Sequence, residues 1–459
     1  MTTHTQAHIS GRLFVDAHLI QSFPYSNLNR DRYGAPKSAK YGGVLRARQS
    51  SQNGKRHTRQ AVEEATGIRA VRTRAVPRAV ARRLTGRGWD PGVALTAGQM
   101  LVLAAGVKGL GIADSQGTNA LLFLPESALD DLAELAGAHR GEITQAAYDL
   151  AAEAPKPGKR APRKPADEEE PEADGDEEPA LGESSRLAAY AAKVLPKAEV
   201  LAILQSRNAS VAAFGRMLAN ESGSTVDGAV QMAHALSTHA AGTQLDYFTA
   251  VDDILQKERT ETGAGHMGDS RYTSATFYRY ASLNVTELLG NLDGDADTAW
   301  TVTREFLRAF ATTVLPAKSS GTAPFTVPHL VYVAVRADRP VSLVGAYESP
   351  VPDSPRGYLP ESLDRLDRHA AAHHRFLGTG GLVAHAHGGL TERKFTALGT
   401  RVDPLDTLIG HVVDAVSRHA APPRPLLDAV AGERARSGGT GEPGLVAGEG
   451  ARPPAEERA

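Results

Sequence analysis

The sequence predicts an α+β protein in which a sheet domain carries a helical insertion and a long β-hairpin. Strand-like apolar runs at 13–20 and 330–336 lie far apart in the chain, and helical patterning rich in Ala and Leu fills most of 69–150. Two runs with alternating apolar residues, 245–251 and 275–285, flank a polar stretch with several glycines, which is typical of a hairpin arm. Strands scattered among helices indicate a sheet domain with appended elements.

The first predicted elements are a buried strand with one polar face at 13–20 and a helix at 52–65, with a basic corner between them. Arg46 and Arg48 are two residues apart and should project from the same face of a strand that leads into the helix. Cations are thus placed along one surface where the strand meets the helix.

The start of the helix extends this basic corner. Ser50 or Ser51 can cap it, which leaves backbone N–H groups and the positive end of the helix dipole at the same place. Lys55 and Arg59 are four residues apart and share one helical face. No acidic residue occurs in 32–62. The corner suits a run of phosphates, and the alternative is an ordinary solvated basic face.

The remaining elements are predicted from apolar patterning and composition. Helical patterning resumes at 185–205, a strand or short helix is expected at 229–239, and 296–315 reads as an amphipathic helix. Residues 152–184 are a charged stretch with prolines and with ten acidic residues from Asp167 to Glu183, so we expect a disordered loop. The tail at 420–459 is rich in Pro, Gly and charge and should be disordered as well.

Composition limits the class of protein. The chain has 459 residues, 41% of them hydrophobic, and a net charge of −2. Residues 1–90 carry 17 Lys or Arg and 5 Asp or Glu, a net +12, so the rest carries −14, which is typical of a polyanion-binding segment. The absence of cysteine excludes disulfides and thiol catalysis. With neither a signal-like start nor a membrane-length apolar run, a soluble, cytoplasmic protein without a membrane partner is expected.

Eight short blocks occur in one order along the chain: Ser26–Asp31, Tyr41–Gly43, Arg48–Gln52 with Lys55–Arg56, Phe214–Met217, Val226–Ala229, Ala233–Ala235 with Thr238–His239, Asp246–Asp253 and Phe277–Ala281. In these blocks the sequence resembles the CasC family, the backbone subunits of the type I-E CRISPR surveillance complex, Cascade. The resemblance covers roughly 12–60 and 205–350 well and the helical insertion poorly.

The resemblance implies a hand-shaped molecule. An RRM-like (ferredoxin-like) palm would comprise 12–60 and 195–415, with a helical finger at 61–194 that includes the disordered charged loop 152–184. The thumb would be a hairpin at 243–278 within the palm. Copies of such a protein stack into a helical filament along the spacer of the CRISPR RNA (crRNA), and each thumb displaces one nucleotide at regular intervals.

The resemblance also implies the site residues. Its guide-binding positions match Arg30, Lys37, Ser50, Gln52, Lys55 and Arg59, and its wedge beside the kinked RNA matches Met217. With Arg46, Arg48 and Ser51 from the basic corner and Arg216 beside Met217, these form the predicted RNA-binding set. The positions that trap the displaced base match Tyr247, Phe248, Thr249 and Met267.

These residue types suit a protein that must accept any spacer sequence. Aromatic faces stack on every base, and cations bind the backbone without reading it. Adjacent strand residues point to opposite sides, so one of Tyr247 and Phe248 should be buried and the other should face RNA. The sequence therefore predicts a non-catalytic scaffold without cofactor or metal. The resemblance implies its partners: crRNA, guide-paired target DNA, further copies of itself, and the large, small, 5′-handle-binding and repeat-processing subunits.

Other interpretations remain open at this point. An endoribonuclease on the same RRM-like fold could process CRISPR repeat RNA with His18 or His57 as general base. A free-standing single-strand binder is a third, weaker option. His369 and His373 have the spacing of helical zinc ligands, but no HExxH arrangement accompanies them. Finger arginines could meet target DNA or form solvated faces, namely Arg69, Arg72, Arg74, Arg78, Arg82, Arg83 and Arg87.

Overall fold

The structure, a computed structural model of the chain, describes residues 11–113, 117–153, 183–216, 225–250, 266–313, 315 and 318–420. The described strands are β1 Phe14–Ser26, β2 Ser38–Tyr41, β3 Val44–Gln49, β4 Ala70–Thr73, β5 Leu122–Pro125, β6 Val230–Met232, β7 Ala235–Ser237, β8 Gln244–Ala250, β9 His266–Asn284, β10 Leu330–Arg336, β11 Leu382–Gly388 and β12 Thr400–Arg401.

Thirteen helices lie within the same described ranges, together with one 3-10 turn at Val344–Tyr347. They are α1 Ser51–Thr66, α2 Val76–Gly86, α3 Pro91–Ala104, α4 Ala128–Ala138, α5 Arg140–Glu153, α6 Glu183–Val194, α7 Lys197–Gln205, α8 Ala209–Phe214, α9 Val285–Asn291, α10 Ala296–Thr312, α11 Ser319–Thr322, α12 Leu359–Leu377 and α13 Leu405–His419.

A large mixed sheet organises the fold, in the order β12-β11-β10-β1-β9-β7-β3-β2, with β6 and β8 also paired to β9. β1 lies near the middle and is antiparallel to both neighbours, so that Val15 lies opposite Leu283 on β9 and Val335 on β10. The single parallel pairing among the named strands is β11 with β12. The predicted combination of strands and helices is thus confirmed as a mixed α/β fold.

Both faces of β1 are covered. Val15 and Leu19 belong to the apolar core that also receives side chains of α1, α10 and α13. The alternate positions Asp16, His18 and Ile20 point to the other face, where α12 and the 3-10 turn lie. The polar face predicted for 13–20 therefore exists, but it is buried, because a second layer of chain covers the sheet on that side.

The predicted finger forms a second apolar core together with α7, which the prediction assigned to the palm; its side chains run from Val76 to Leu204. The pattern predicted helix through most of 69–150, whereas β4 and β5 pair antiparallel there in a two-stranded sheet. Pro77, expected to interrupt a helix, lies in the first turn of α2, where its missing N–H has no intrahelical partner to lose. The predicted domain boundaries stay predictions.

Most of the predicted disordered segments lie outside the described residues. Of the loop 152–184, only 152–153 and 183–184 are described, and they belong to α5 and α6. Of the tail 420–459, only Ala420 is described. Within the described ranges, no helix has the length and apolarity needed to cross a lipid bilayer.

The predicted hairpin is present. β8 pairs antiparallel with the first part of β9, from Gln244 opposite Tyr272 to Ala250 opposite His266. β9 begins at His266, earlier than the alternating run at 275–285 suggested, and continues for 19 residues into the central sheet. One continuous strand therefore joins the hairpin arm to the palm.

Candidate nucleic-acid interface

The basic corner has a defined frame at the start of α1. Ser50 is the N-cap, and its hydroxyl accepts a hydrogen bond from the Asn53 N–H at 3.4 Å, which decides between Ser50 and Ser51. The Ser50 N–H donates to Asn29 Oδ1 at 3.0 Å, and the Asn29 carbonyl accepts the Lys37 N–H at 2.8 Å. Asn29 thus ties the preceding loop to the helix start.

The loop that carries Arg30 and Lys37 is itself held in place. The Asp31 carboxylate accepts two backbone N–H groups of the loop at 2.8 and 3.0 Å, as in an Asx turn. The Asn27 side-chain amide donates to the Arg271 carbonyl of β9 at 3.0 Å. The two predicted RNA-binding cations of this loop therefore lie on a backbone anchored to both α1 and the thumb strand.

Six of the predicted RNA-binding side chains reach the surface of this corner. Arg30 and Gln52 are exposed, and Lys37, Arg48, Ser51 and Lys55 are half-buried. Burial lowers the pKa of Lys55, and the ammonium has no hydrogen-bond or ion-pair partner among the described residues. A nearby phosphate would favour the charged form of this amine and offset its desolvation. A bound anion would therefore stabilise the charged form of Lys55.

Arg46 lies beneath the surface of the corner, whereas the sequence pattern predicts it on that surface. Its side chain is fully buried, and the guanidinium donates to the carbonyls of Ser237 at 2.9 Å and Tyr347 at 2.8 Å. At Gly42, which has φ +58°, an added Cβ would lie 1.6 Å from the Glu348 carbonyl oxygen. The period of two predicted correctly that Arg46 and Arg48 share a side, but the segment around 344–348 covers Arg46.

Arg59 is attached to the entrance of the finger. Its Nη1 donates to Glu63 Oε1 at 2.6 Å and to the Ala70 carbonyl at 3.2 Å, and the guanidinium lies 5.1 Å from the centroid of the Phe123 ring. The ion pair with Glu63 is mostly shielded from solvent. An RNA contact of Arg59 stays a prediction, and Lys55 is the member of this helical face without such a partner in the described chain.

Arg216 is also buried. It is 4% exposed, and its guanidinium donates to the carbonyls of Gln205 at 2.7 Å and Ser206 at 2.8 Å, at the end of α7. Burial lowers its pKa. An RNA contact of Arg216 stays a prediction. Met217, the predicted wedge, lies outside the described residues.

His234 is a member of the corner that the sequence did not assign. It lies between β6 and β7, and its Nδ1 is 3.1 Å from the Ser51 N–H nitrogen and 3.3 Å from Arg48 Nη1. It occurs in the block Ala233–Ala235, but nothing in the sequence links that block to α1. The contact spans more than 180 residues and arises from the pairing of β3 with β7.

The thumb presents large apolar side chains to solvent. Tyr247 is 66% exposed, Phe248 43% and Met267 62%. The prediction that one of the two adjacent aromatic residues is buried is therefore wrong. They do point to opposite faces, but the two-stranded ribbon leaves both faces open.

The predicted thumb side chains are divided between the two faces of the ribbon. Thr249 lies opposite Met267, and the Tyr247 hydroxyl lies 2.9 Å from Met267 Sδ, so three of the four predicted thumb residues form one face. Phe248 lies on the other face over Gly268, where an added Cβ would be 2.7 Å from the ring. Leu245, 70% exposed on the Tyr247 face, was not predicted.

The finger arginines split into two groups. Arg83 is paired with Asp130 at 2.6 Å. The other six are exposed, and none has an ion-pair partner among the described residues; they are Arg69, Arg72, Arg74, Arg78, Arg82 and Arg87. Their contact with target DNA stays a prediction.

Comparison with known proteins now identifies the family. The model of the CT1975-like protein family matches residues 15–410. The chain belongs to this family. No curated protein matches it.

Two solved structures contain chains similar to this CT1975-like protein. One, described as a CRISPR RNA-guided surveillance complex, pre-nicking, has 37% identity and a TM-score of 0.73 over 88% of this chain and 99% of that one. Another, described as a CRISPR RNA-guided surveillance complex, has 34% identity and a TM-score of 0.65 with the same coverage. The relation to subunits of CRISPR surveillance complexes, predicted from eight short blocks, is confirmed.

Of the two histidines proposed for a ribonuclease, His18 is inaccessible to a nucleotide. His18 is 2% exposed, burial lowers its pKa to about 3, and its Nδ1 lies 2.9 Å from the Tyr278 hydroxyl. The adjoining cavity, lined also by Asp16 and Arg336, has a volume of about 20 Å³, room for one water but not a nucleotide. Burial, and then Arg56, lowers the pKa of His57.

The histidine-rich region around α12 does not form a metal centre in the described part of the chain. His369 and His373 lie with their Nε2 atoms 3.2 Å apart, a hydrogen-bond distance between two imidazoles. No group of three or more His, Cys, Asp or Glu side chains within the described ranges is placed to hold a metal ion.

Proposed function

We propose that this protein is a non-catalytic backbone subunit of a type I-E CRISPR surveillance complex, Cascade. It polymerises along the crRNA spacer, binds its phosphates and displaces nucleotides at regular intervals, so that the remaining bases pair with target DNA in antiviral defence. The observation that carries the proposal is the 37% identity over 99% of a chain from a CRISPR RNA-guided surveillance complex. A likeness over that length covers palm, finger and thumb together.

The palm is proposed to be RRM-like. In its support, β1, α1, the β6–β7 pair, β9, α10 and β10 follow one another in the chain. The corresponding strands lie side by side in the order β10-β1-β9-β7, and each is antiparallel to its neighbour. This chain order and strand order are those expected for the split β-α-β arrangement of an RRM-like palm, and α1 and α10 both contribute side chains to one core beside the sheet.

The corner is proposed to bind guide phosphates through Arg30, Lys37, Arg48, Lys55 and the polar residues at the start of α1. Three features support this role: no acidic side chain interrupts 32–62, the loop is anchored at both ends, and Lys55 is desolvated. Cations and backbone N–H groups contact phosphates without reading bases, which suits a subunit that meets every spacer sequence.

The thumb is proposed to insert at the displaced nucleotide. Tyr247, Phe248 and Met267 are exposed on a ribbon that is continuous with the central sheet. Aromatic faces stack on any base, and the flexible thioether of Met fills the gap beside it. Presentation on two opposite faces allows the thumb to contact bases on both sides of the site at which it inserts.

The partners follow from this role. They are crRNA, guide-paired target DNA at the finger arginines, further copies in a helical filament, and the large, small, 5′-handle-binding and repeat-processing subunits, all in the cytoplasm. Purified protein should hydrolyse neither repeat RNA nor DNA. Cleavage of repeat RNA that is lost on His57→Ala would favour the ribonuclease instead.

Electron microscopy of the protein co-expressed with guide RNA and the other subunits tests the proposal. Guide RNA should run along the corner of each copy. Binding to single-stranded RNA should weaken with salt: for each tenfold rise in salt concentration, log K should fall by about 0.7 per phosphate neutralised. A guide-loaded assembly whose corners face bulk solvent, or RNA binding that ignores salt, would contradict it.

A further inference from the structure

His234 makes an unusual pair of contacts at the corner. Its side chain is exposed, yet its Nδ1 lies within hydrogen-bond distance of the Ser51 N–H, at 3.1 Å, and of Arg48 Nη1, at 3.3 Å. Both neighbours are obligate donors, so Nδ1 must be the acceptor and the imidazole proton lies on Nε2. A single uncharged acceptor therefore links the first turn of α1 to the Arg48 guanidinium.

Arg48 gains a fixed orientation from this link. Its Nε lies 3.4 Å from the Ser38 carbonyl of β2, and its Nη1 faces His234. The second terminal nitrogen, Nη2, has no partner among the described residues. A free arginine side chain samples many rotamers, and fixing it before binding removes part of the entropic cost of binding a phosphate.

The chemistry of the acceptor matters as much as its position. An aspartate or glutamate in place of His234 would also orient Arg48, but it would neutralise the guanidinium and repel the phosphate. A neutral imidazole accepts both hydrogen bonds and leaves the positive charge of the corner intact. Histidine is thus suited to orienting a cation that must still bind an anion.

We propose that His234 is a positioning residue of the RNA interface. It holds the Arg48 guanidinium and the start of α1 in one geometry, in which the free edge of Arg48 donates to a guide phosphate. The proposal rests on the proposed function, because it requires RNA at the corner. His234 acts through Arg48, so its effect on RNA affinity depends on the presence of the arginine.

A double-mutant cycle with the full chain and a fluorescein-labelled single-stranded RNA tests this role. His234→Phe removes the acceptor and should weaken binding by about fivefold, within the range of coupled contacts. His234→Asn places an amide oxygen near the Nδ1 position and should bind within about twofold of the unaltered protein. In an Arg48→Ala background, His234→Phe should cause no further loss.

The matched control is His411→Phe, an exposed histidine on α13, a helix that packs on β10 and β11, which are far from β3 in the sheet order. It should leave RNA affinity unchanged, and thermal melts should show that all variants fold. Unaltered binding by His234→Phe, a loss in His234→Asn equal to that in His234→Phe, or additive losses in the double variant would overturn the positioning role. Failure of the proposed function shows differently: the unaltered protein would not bind RNA, or Lys55→Glu would bind equally well.

Discussion

The palm corner, built from the loop after β1, β3 and the start of α1, and the thumb, built from β8 and the first part of β9, present opposite kinds of surface. At the corner, polar groups are fixed by buried bonds: Arg46 donates to four backbone carbonyls, and Asn29 joins the loop to α1. On the thumb, Tyr247 and Phe248 extend into solvent from a two-stranded ribbon. The position of the corner's polar groups is set by the buried contacts beneath them, whereas the thumb presents its aromatic side chains on the open faces of a ribbon.

This difference follows from the two kinds of ligand. A phosphate is bound well only when donors are held at defined distances, since each donor must lose its water and its freedom. A base stacks on any flat apolar face and tolerates small shifts. Changes beneath the corner should therefore affect stability and binding together, while changes on the thumb should affect function alone.

The largest effect is expected from Arg46→Met. The four carbonyls that accept from the guanidinium would lose their donor in a buried site, so unfolding free energy should fall by about 3–5 kcal/mol. Guide RNA binding should weaken as well. Denaturant unfolding and RNA titration measure both. Arg271→Met on the exposed thumb strand is the control and should change stability by less than about 0.5 kcal/mol. If Arg46→Met and Arg271→Met lowered the unfolding free energy equally, the contrast between the supported corner and the exposed thumb would be contradicted.

Lys55→Glu should leave the fold intact and weaken RNA binding by about 30-fold at low salt, because one phosphate contact is replaced by repulsion. The loss should be the same for every spacer sequence and should shrink as salt rises. Lys394→Glu makes the same charge change in the exposed segment between β11 and β12, at the opposite edge of the sheet, and should bind normally. A sequence-dependent loss would argue against phosphate contact.

The double variant Tyr247→Ala, Phe248→Ala tests whether the thumb side chains affect function without affecting stability. Both rings are exposed, so thermal stability should be unchanged, while capture of target DNA by the guide-loaded complex should fall about tenfold as base stacking is lost. Affinity for guide RNA should change less than in Lys55→Glu. Normal target capture by the double variant would remove the stacking role of the thumb.

Acid should weaken the palm through the histidines around α12. Burial lowers the pKa of His18 to about 3 and also lowers those of His369, His373 and His374. The unfolded chain binds these protons near pH 6.5 and the folded chain does not, so stability is full above pH 6.5 and falls below it. Asp16, whose pKa burial raises to about 6, acts in the opposite direction.

His18 alone should contribute about 1.4 kcal/mol of destabilisation per pH unit below 6.5. Thermal unfolding measured at pH 7.5 and 5.5 should show a loss that is smaller by that amount in His18→Gln. A pH slope identical in the two proteins would show that His18 does not titrate on unfolding.

Much of the fold could be predicted because local patterns are strong there. The predicted run 330–336 coincides with β10, and 296–315 contains α10, since apolar periodicity over a buried face is readable from sequence. The four-residue strands β4 and β5 could not be predicted, because segments so short carry too few residues for a pattern. The start of β9 at His266 was missed because both faces of the thumb ribbon are exposed and its sequence is polar.

By itself the sequence determined where the positive charge lies, that Arg46 and Arg48 share a side, that a serine begins α1, and that Tyr247 and Phe248 point to opposite faces. Only the tertiary structure decided that Arg46 is buried and that Arg216 donates to the last carbonyl of α7. It also decided that both thumb aromatics are exposed and that His234 contacts Arg48. Periodicity states which residues share a face. It cannot state what covers that face, because the covering segment comes from hundreds of residues away in the chain.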